Sequence, residues 1–397
     1  VRIDMERNHM PHYDVIVVGG GVMGSATAYH LAKRGRRVLL LEQFAIGHDR
    51  GSSHGHSRIF RLAYDAPDYV RLAQAALPLW RALEHESGAE LLLQTGGLDY
   101  ALPGTPSFDA TCAALAALGI EFDQLDRTAI SQRFPQFQLP DDAIGLYQRN
   151  YGILDASRCV ATLVAEARRH GAALRENELA HRLSPVGSGV EVRTNTATYS
   201  ADRLVVTAGA WARPLLSQLG LDLPLTVTSE QVAFFTPRDA DDGFGDPSQF
   251  APDRFPIFIH HVAEGRSPYG FPIFGLPAVK VAFHQCGPVI APESEQRTAD
   301  AATNLALHDY LSKWIPGVAG TLLFSQTCRY TNTPDEHFII DRHPAHSQIV
   351  IGSPCSGHGF KFGVLIGSIL ADLAERGATE HPIGMFGLNR PGLLVET

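Results

Sequence analysis

Two stretches late in the chain concentrate residue types that do chemistry. Cys328-Arg-Tyr-Thr-Asn-Thr-Pro-Asp-Glu-His-Phe-Ile-Ile-Asp341 opens on a thiol, and Ser356-Gly-His-Gly-Phe-Lys361 follows with glycines, a histidine and a cation. A free cysteine is ordinarily a small buried hydrophobe; as a thiolate it is a nucleophile able to bond covalently to a cofactor. Upstream, Lys280-Val-Ala-Phe-His284 sets two ionisable side chains four positions apart. On a strand, Lys280, Ala282 and His284 share one face, so both polar ends look into the same space. A lysine so placed is ordinarily solvated; the alternative is a fixed cation at a reaction centre. Nearer the start, Gly51-Ser-Ser-His54-Gly-His-Ser-Arg58-Ile-Phe-Arg61 puts five glycines or serines and four ionisable side chains into eleven positions, a density suited to a site on a loop.

These groups need a frame, and its first element is legible. Asp14-Val-Ile-Val-Val-Gly19-Gly-Gly21-Val-Met-Gly24 is a short buried strand running into G-x-G-x-x-G, and 25–33 reads as a helix closed by Gly35. Gly19 permits the tight turn, Gly21 lets backbone approach a pyrophosphate at the helix N-terminus, and Gly24 lets helix and strand pack closely. A second strand, 38–42, ends in Glu42, about 20 residues on, where a ribose hydroxyl is held; an acid there favours an unphosphorylated ribose. This fingerprint by itself does not separate NAD from FAD. Asp155 is placed to cap a helix over Ala156–Arg169 that Gly171 ends, and 203–209 is a strand entering a glycine turn. The segment 348–352 reads as a strand and 360–376 as a helix with a buried face at Val364, Leu365, Ile369 and Leu370. The link 357–361 therefore brings backbone N–H groups and Lys361 to a helix N-terminus, where an anion is stabilised.

Bulk properties bound the rest. At 397 residues the chain fits two domains or one domain with a large insertion. A net charge of −9 without a basic patch argues against a nucleic-acid partner. The five cysteines, Cys112, Cys159, Cys286, Cys328 and Cys355, are odd in number and form no C-x-x-C pair, which argues against disulfides or a zinc site and makes a cytoplasmic location the expectation. No apolar run reaches the roughly 18 to 20 residues of a membrane span. Residues 1–10 read as a tail, with Met10 an alternative start.

The fingerprint, the 51–61 loop and the Cys328 and Lys361 segments together resemble the monomeric sarcosine oxidase and N-methyltryptophan oxidase family, over about 14–377. The resemblance implies an α/β fold with mixed α+β character: a Rossmann-like FAD-binding domain of the glutathione-reductase-like type with an inserted antiparallel-sheet substrate domain. The expected division is 11–90, 149–221 and 324–390 for the discontinuous FAD domain, and 91–148 with 222–323 for the substrate domain. The strand entering Ala208-Gly-Ala-Trp211 resembles the second flavin-contacting strand of such folds. The cofactor implied is FAD, attached through a thioether to Cys328, with Arg329 expected to stabilise the thiolate and Cys355 the rival attachment point. Gly19, Gly21, Gly24, Glu42, Ser52, His54, Arg58, Gly357, Gly359, Phe360 and Lys361 are the implied cofactor contacts.

The same resemblance assigns roles. Lys280 activates dioxygen, with Arg58 adding positive potential and His54 beside the flavin ring. His284 and Tyr269, the latter otherwise readable as a turn residue, shape the substrate face. Arg61 and Lys361, with Gly357, hold a substrate carboxylate, two cations facing one anion. The implied reaction is oxidation of an N-methyl amino acid to the free amino acid and formaldehyde, with O2 reduced to H2O2, by a monomer that binds no metal. The alternatives are a cyclic or bulkier substrate (pipecolate, proline, N-methyltryptophan), or a dehydrogenase using another acceptor. Pocket width is assigned to loops 66–70 and 249–261, the latter holding His260.

Overall fold

The computed structural model describes residues 11–238, 245–295 and 298–393. The expected tail, 1–10, lies outside them.

The first sheet is built around the fingerprint strand. His12–Val18 pairs in parallel with Val38–Leu41 on one side and Thr198–Val206 on the other. Val38–Leu41 pairs in parallel with Ala173–Arg175, and Thr198–Val206 with Ile349–Ser353. Antiparallel strands Ala180–Val186, Gly189–Thr194 and Ile339–Arg342 complete eight. The near-continuous apolar runs of the central strands follow from this position, since parallel strands are covered on both faces. Val15, Val17, Val38 and Leu40 enter one core, and Ile16, Val18, Leu39 and Leu41 the other.

Helix Val22–Lys33 packs against the sheet and against Gly363–Arg376. Close approach of the two helices depends on glycine. A Cβ at Gly367 would lie 2.4 Å from Ala26 Cβ, and one at Gly363 2.6 Å from Val22. The helix begins at Val22 rather than at the expected 25, with Ser25 N already donating to Gly21 O at 2.9 Å, and Ser53 Oγ accepts from Val22 N at 3.1 Å, which satisfies one end donor. Ala156–Arg169 forms where expected, with the Asp155 carboxylate accepting from Arg158 N at 3.0 Å.

The second sheet also has eight strands, in the spatial order Leu322–Asn332, Thr226–Phe235, Val279–Phe283, Pro268–Phe271, Ile257–His260, Gly97–Ala101, Ile144–Gln148 and Asp123–Asp126. One face, with Ala233, Phe235, Val279, Val281 and Phe258, packs on Leu307, Tyr310 and Leu311 of helix Ala301–Trp314. The other face carries the polar residues described below. The expected boundary at 323/324 falls within the strand Leu322–Asn332, all of whose pairing is with Thr226–Phe235. A small third sheet, Arg58–Phe60, Gly152–Leu154 and Leu92–Gln94, lies where the 51–61 loop leads into helix Pro67–Ser87. No helix among the described residues is long and apolar enough to cross a membrane.

Candidate active site

The glycine turn is sterically determined. Gly19 has φ +103°, and a Cβ there would lie 2.4 Å from Thr207 O. A Cβ at Gly24 would lie 1.8 Å from Gly19 O, so no other residue fits. At Gly21 it would meet Ser53 Oγ at 3.1 Å. Glu42, almost wholly buried, accepts from Gly20 N at 2.7 Å and Phe44 N at 2.9 Å. A cavity of about 260 Å³ lies over this turn, lined by Gly19, Gly21, Glu42, Ser52, Ser53, Thr207, Ala208 and Trp211. The Ala-Gly-Ala-Trp turn thus shares the fingerprint's cavity.

From the cavity the 51–61 loop runs toward the second sheet. Arg58 ties the loop to itself, donating to Ser52 O at 2.9 Å, His54 O at 2.8 Å and Ser57 O at 2.8 Å. Its guanidinium carbon lies 5.7 Å from the Phe360 ring centre. Burial, and then Arg58, push His54 down to about 4, so it is neutral at pH 7; its buried Nε2 has no hydrogen-bond partner. A glycine turn that admits no Cβ at Gly19 or Gly24, open to a cavity, and a buried imidazole nitrogen without a partner on the adjoining loop fit a set of residues that would hold a dinucleotide.

Strand register gathers the remaining groups. Lys280 is opposite Phe271 and Phe234, Tyr269 opposite Ala282, Glu230 opposite Cys328 and Thr228 opposite Tyr330. Directly opposed residues of a pleated sheet point to the same side. Lys280, Tyr269, Glu230, Cys328 and Tyr330 therefore share one face, although 61 positions separate Tyr269 from Tyr330 in the chain.

Lys280 is buried rather than solvated. Its Nζ donates to Ser57 O at 3.0 Å and Oγ at 3.2 Å and lies 4.5 Å from the Phe271 ring centre. Burial, with Arg58 adding repulsion, pulls the amine down to about 7. Cys328 is pushed up by burial, against the pull of Arg58 and Lys280. The expected role of Arg329 is corrected: its guanidinium donates to Arg50 O and lies 5.3 Å from the Trp211 ring centre. Successive side chains leave a strand on opposite faces, so the cations acting on Cys328 come from other segments. Cys355 accepts from Thr331 N at 3.4 Å.

Arg61 and Lys361 come together through Tyr64. The Arg61 guanidinium carbon is 4.4 Å from the Tyr64 ring centre, and Lys361 Nζ donates to Tyr64 Oη at 2.6 Å and to His358 O at 2.8 Å. Burial and then Arg61 hold the Lys361 amine well below its ordinary value. Lys361 lies in a short 3-10 turn, Phe360–Phe362, ahead of helix Gly363–Arg376, and its carbonyl accepts from Trp80 Nε1 at 2.7 Å. Beside this pair, burial and then Arg61 push His284 down to about 4. Its ring lies 6.4 Å from Tyr269 and 5.9 Å from Tyr330, and burial raises Tyr269 to about 12. Gly357, at φ +77°, leaves room for Tyr330 and His284; a Cβ there would lie 2.3 Å from the Tyr330 ring. One at Gly359 would lie 1.7 Å from Pro354 O.

Three of the four non-glycine residues with left-handed backbone among the described residues, Gln285, Glu336 and Ser356, meet here. Such conformations concentrate at functional sites. Of the segments expected to set pocket width, 67–70 is the first turn of a helix, with Tyr69 packed on His358. His260 stacks on Tyr100 at 4.5 Å, and its neighbour His261 reaches the polar network around Arg61. Sequence reasoning missed Tyr64, Asp99, Tyr151, Glu230, His261 and Tyr330. Asp99 carried a signal, being an acid within the otherwise uncharged strand Gly97–Ala101, whereas Glu230 lies in a polar stretch between Ser229 and Gln231 and carried none.

Comparison with known proteins adds an independent line. The family profile described as DAO, FAD dependent oxidoreductase, matches residues 14–373. Monomeric sarcosine oxidase of Streptomyces avermitilis is 41% identical over 384 residues, spanning 96% of this chain and 98% of that protein. N-methyl-L-tryptophan oxidase of Salmonella enteritidis is 31% identical over 382 residues, spanning 95% and 99%. Among solved structures, NikD, an unusual amino acid oxidase essential for nikkomycin biosynthesis, superposes with a TM-score of 0.82 at 28% identity over 95% of this chain and 97% of that one. L-proline dehydrogenase from P. horikoshii gives 0.82 at 21% identity over the same shares, a likeness of fold.

Proposed function

The chain belongs to the DAO family of FAD dependent oxidoreductases, and we propose that within it this protein is an oxidase of N-methyl amino acids that resembles sarcosine oxidase. The observation that carries the reading is the pair of partly buried Arg61 and buried Lys361, joined by Tyr64 and flanked by His284. Two cations in a desolvated pocket suit one carboxylate, which also restores the charge that burial takes from Lys361.

Arg61 and Lys361 bind and orient the carboxylate, which supplies positioning, a large part of catalysis in a reaction with few proton transfers to manage. His284, held neutral, and Tyr269, held protonated, border the substrate without adding charge, so a neutral secondary amine is accommodated beside them. Gly19, Gly21, Gly24, Glu42, Ser52, His54, Arg58, Gly357, Gly359 and Phe360 would hold FAD, which when bound supplies a two-electron acceptor that O2 regenerates. The amine loses two electrons and two protons at its C–N bond. Water then releases formaldehyde and the primary amino acid, and O2 takes up the electrons and protons as H2O2. Lys280 keeps a cation available in a dry setting for the first electron transfer to O2, and that buried position favours an oxidase over a dehydrogenase with another acceptor.

Cys328 is the proposed attachment point, because it shares the face of Lys280 and Tyr269 and lies under the influence of Arg58. The proposed unit is a monomer in the cytoplasm, divided as the sequence suggests except that the strand Leu322–Asn332 goes with the second sheet. A bulkier or cyclic secondary amino acid is the second reading, favoured by the N-methyl-L-tryptophan oxidase relatives.

The test is an absorbance spectrum before and after acid precipitation, then anaerobic addition of sarcosine, N-methyl-L-tryptophan, L-proline and L-pipecolate. Bleaching by sarcosine supports the main reading, and bleaching by a larger compound alone replaces it with the second. Colour that stays with the precipitate, but not in a Cys328→Ala variant, supports the thioether. Colour in the supernatant of the parent protein removes it.

A further inference from the structure

Asp99 stands in the middle of Gly97–Ala101, a strand whose five residues are all buried, and is itself 0% exposed. A lone carboxylate in such a place is strongly disfavoured; it persists only with its charge paired and its lone pairs occupied. Both conditions are met. Asp99 Oδ1 accepts from Tyr151 Oη at 2.5 Å, while Oδ2 lies 2.9 Å from His261 Nε2 and 3.6 Å from Arg61 Nη1. His261 Nδ1 in turn lies 3.0 Å from Ser107 Oγ.

Asp99 approaches a terminal nitrogen of Arg61, whose guanidinium also hydrogen-bonds Tyr151 and Tyr64, and the Tyr64 ring lies 4.4 Å from the guanidinium carbon. The Asp99 contact fixes the direction of the fork and the ring fixes its plane, leaving further donors for a second carboxylate. In charge, Arg61, Lys361 and Asp99 bring two cations and one anion, so the group matches one more carboxylate.

We propose that Asp99 is the positioning residue for the substrate's carboxylate: reaching from the second sheet, it aims the Arg61 guanidinium without touching substrate itself. This rests on the reading of Arg61 and Lys361 as the carboxylate clamp. Tyr151 and His261 hold the Asp99 carboxylate in turn, which accounts for a buried acid where a leucine would pack without cost.

A double-mutant cycle on the holoenzyme tests it. In the parent background, Asp99→Asn is expected to weaken acetate, read from the flavin absorbance change, and to raise KM for sarcosine, each about tenfold or more, with kcat within about threefold. In an Arg61→Met background, Asp99→Asn is expected to change kcat/KM, measurable without saturation, by less than about twofold. A merely structural role would lower kcat/KM in both backgrounds, which overturns the proposal. If Arg61→Met alone leaves acetate binding and KM unchanged, the clamp reading itself fails. If Arg61→Met weakens both but Asp99→Asn weakens neither, the clamp stands and the Asp99 proposal falls. Should Asp99→Asn give no soluble holoenzyme, His261→Phe removes the ring nitrogen 2.9 Å from Asp99 Oδ2 and leaves the residues that meet Arg61 in place. It is expected to raise KM about threefold, an effect that vanishes with Arg61→Met; an unchanged KM overturns the proposal.

Discussion

Replacing Lys280 by methionine should have two opposite consequences. Methionine keeps an unbranched, flexible side chain one atom shorter and removes its charge. The amine is pulled from 10.5 to about 7, chiefly by burial. At about 1.36 kcal/mol per pKa unit, that drop amounts to roughly 5 kcal/mol spent on burying the charged form. The variant also loses the bonds to Ser57 O and Oγ, at about 1 kcal/mol each. Flavin-free Lys280→Met protein should therefore be more stable than the parent by roughly 3 kcal/mol below pH 7. The sign follows from proton uptake. Between pH 7 and 10.5 the unfolded parent chain keeps a proton on this lysine that the folded chain has released, so the parent gains stability as pH rises and the variant does not. The advantage should vanish near pH 9 and reverse to about 2 kcal/mol, the worth of the two lost bonds, by about pH 10.5. Urea titrations of both proteins at several pH values measure this difference, in which contributions from titrating groups other than Cys328 and His54, the two that feel Lys280, cancel. In the holoenzyme, the same substitution should slow reoxidation by O2 about 100- to 1000-fold in stopped-flow mixing, because a fixed cation next to developing negative charge is lost. A stability difference that does not change with pH would refute the burial argument; unchanged reoxidation would refute the oxygen role.

Two further outcomes test the scaffold. Gly24→Ala drives a methyl to within 1.8 Å of Gly19 O and 2.6 Å of Thr207 Oγ1, and should abolish flavin retention and cost about 3 kcal/mol or more; a normal flavin-to-protein absorbance ratio would contradict this. Glu230 accepts from Cys286 N and Gly287 N, each at 2.9 Å, and so clamps the turn that follows His284. Glu230→Ala should cost roughly 2 to 4 kcal/mol in chemical denaturation, with Glu230→Gln losing about half as much; a loss under about 1 kcal/mol for the alanine variant would show that water replaces the clamp.

The part of the site legible in the sequence is the part built from near neighbours. Gly19, Gly21 and Gly24 are recognisable because the clashes that demand them involve a turn of a few residues. Asp155 announces its helix because a cap acts on the N–H three positions on. The alternation that put Lys280 on one face of its strand was readable for the same reason. That face's burial was not, since it depends on Ser57 and Phe271, supplied by other segments. Arg329 shows the limit from the other side: adjacent to Cys328 in sequence, it leaves the strand on the opposite face.

By itself, then, the sequence determined the dinucleotide turn, the helices that follow Gly24, Asp155 and Lys361, and the residue types available for chemistry, since each depends on backbone sterics or periodicity within a few positions; the long helix Pro67–Ser87, whose start was expected as a loop, was not among them. Only the tertiary structure decided which of them meet. The register that sets Glu230 opposite Cys328, the Tyr64 bridge between Arg61 and Lys361, and the approach of Asp99 to Arg61 all join segments far apart in the chain. Such contacts are fixed by which strands pair and which faces are buried, and burial is a property of the whole fold that no local pattern carries.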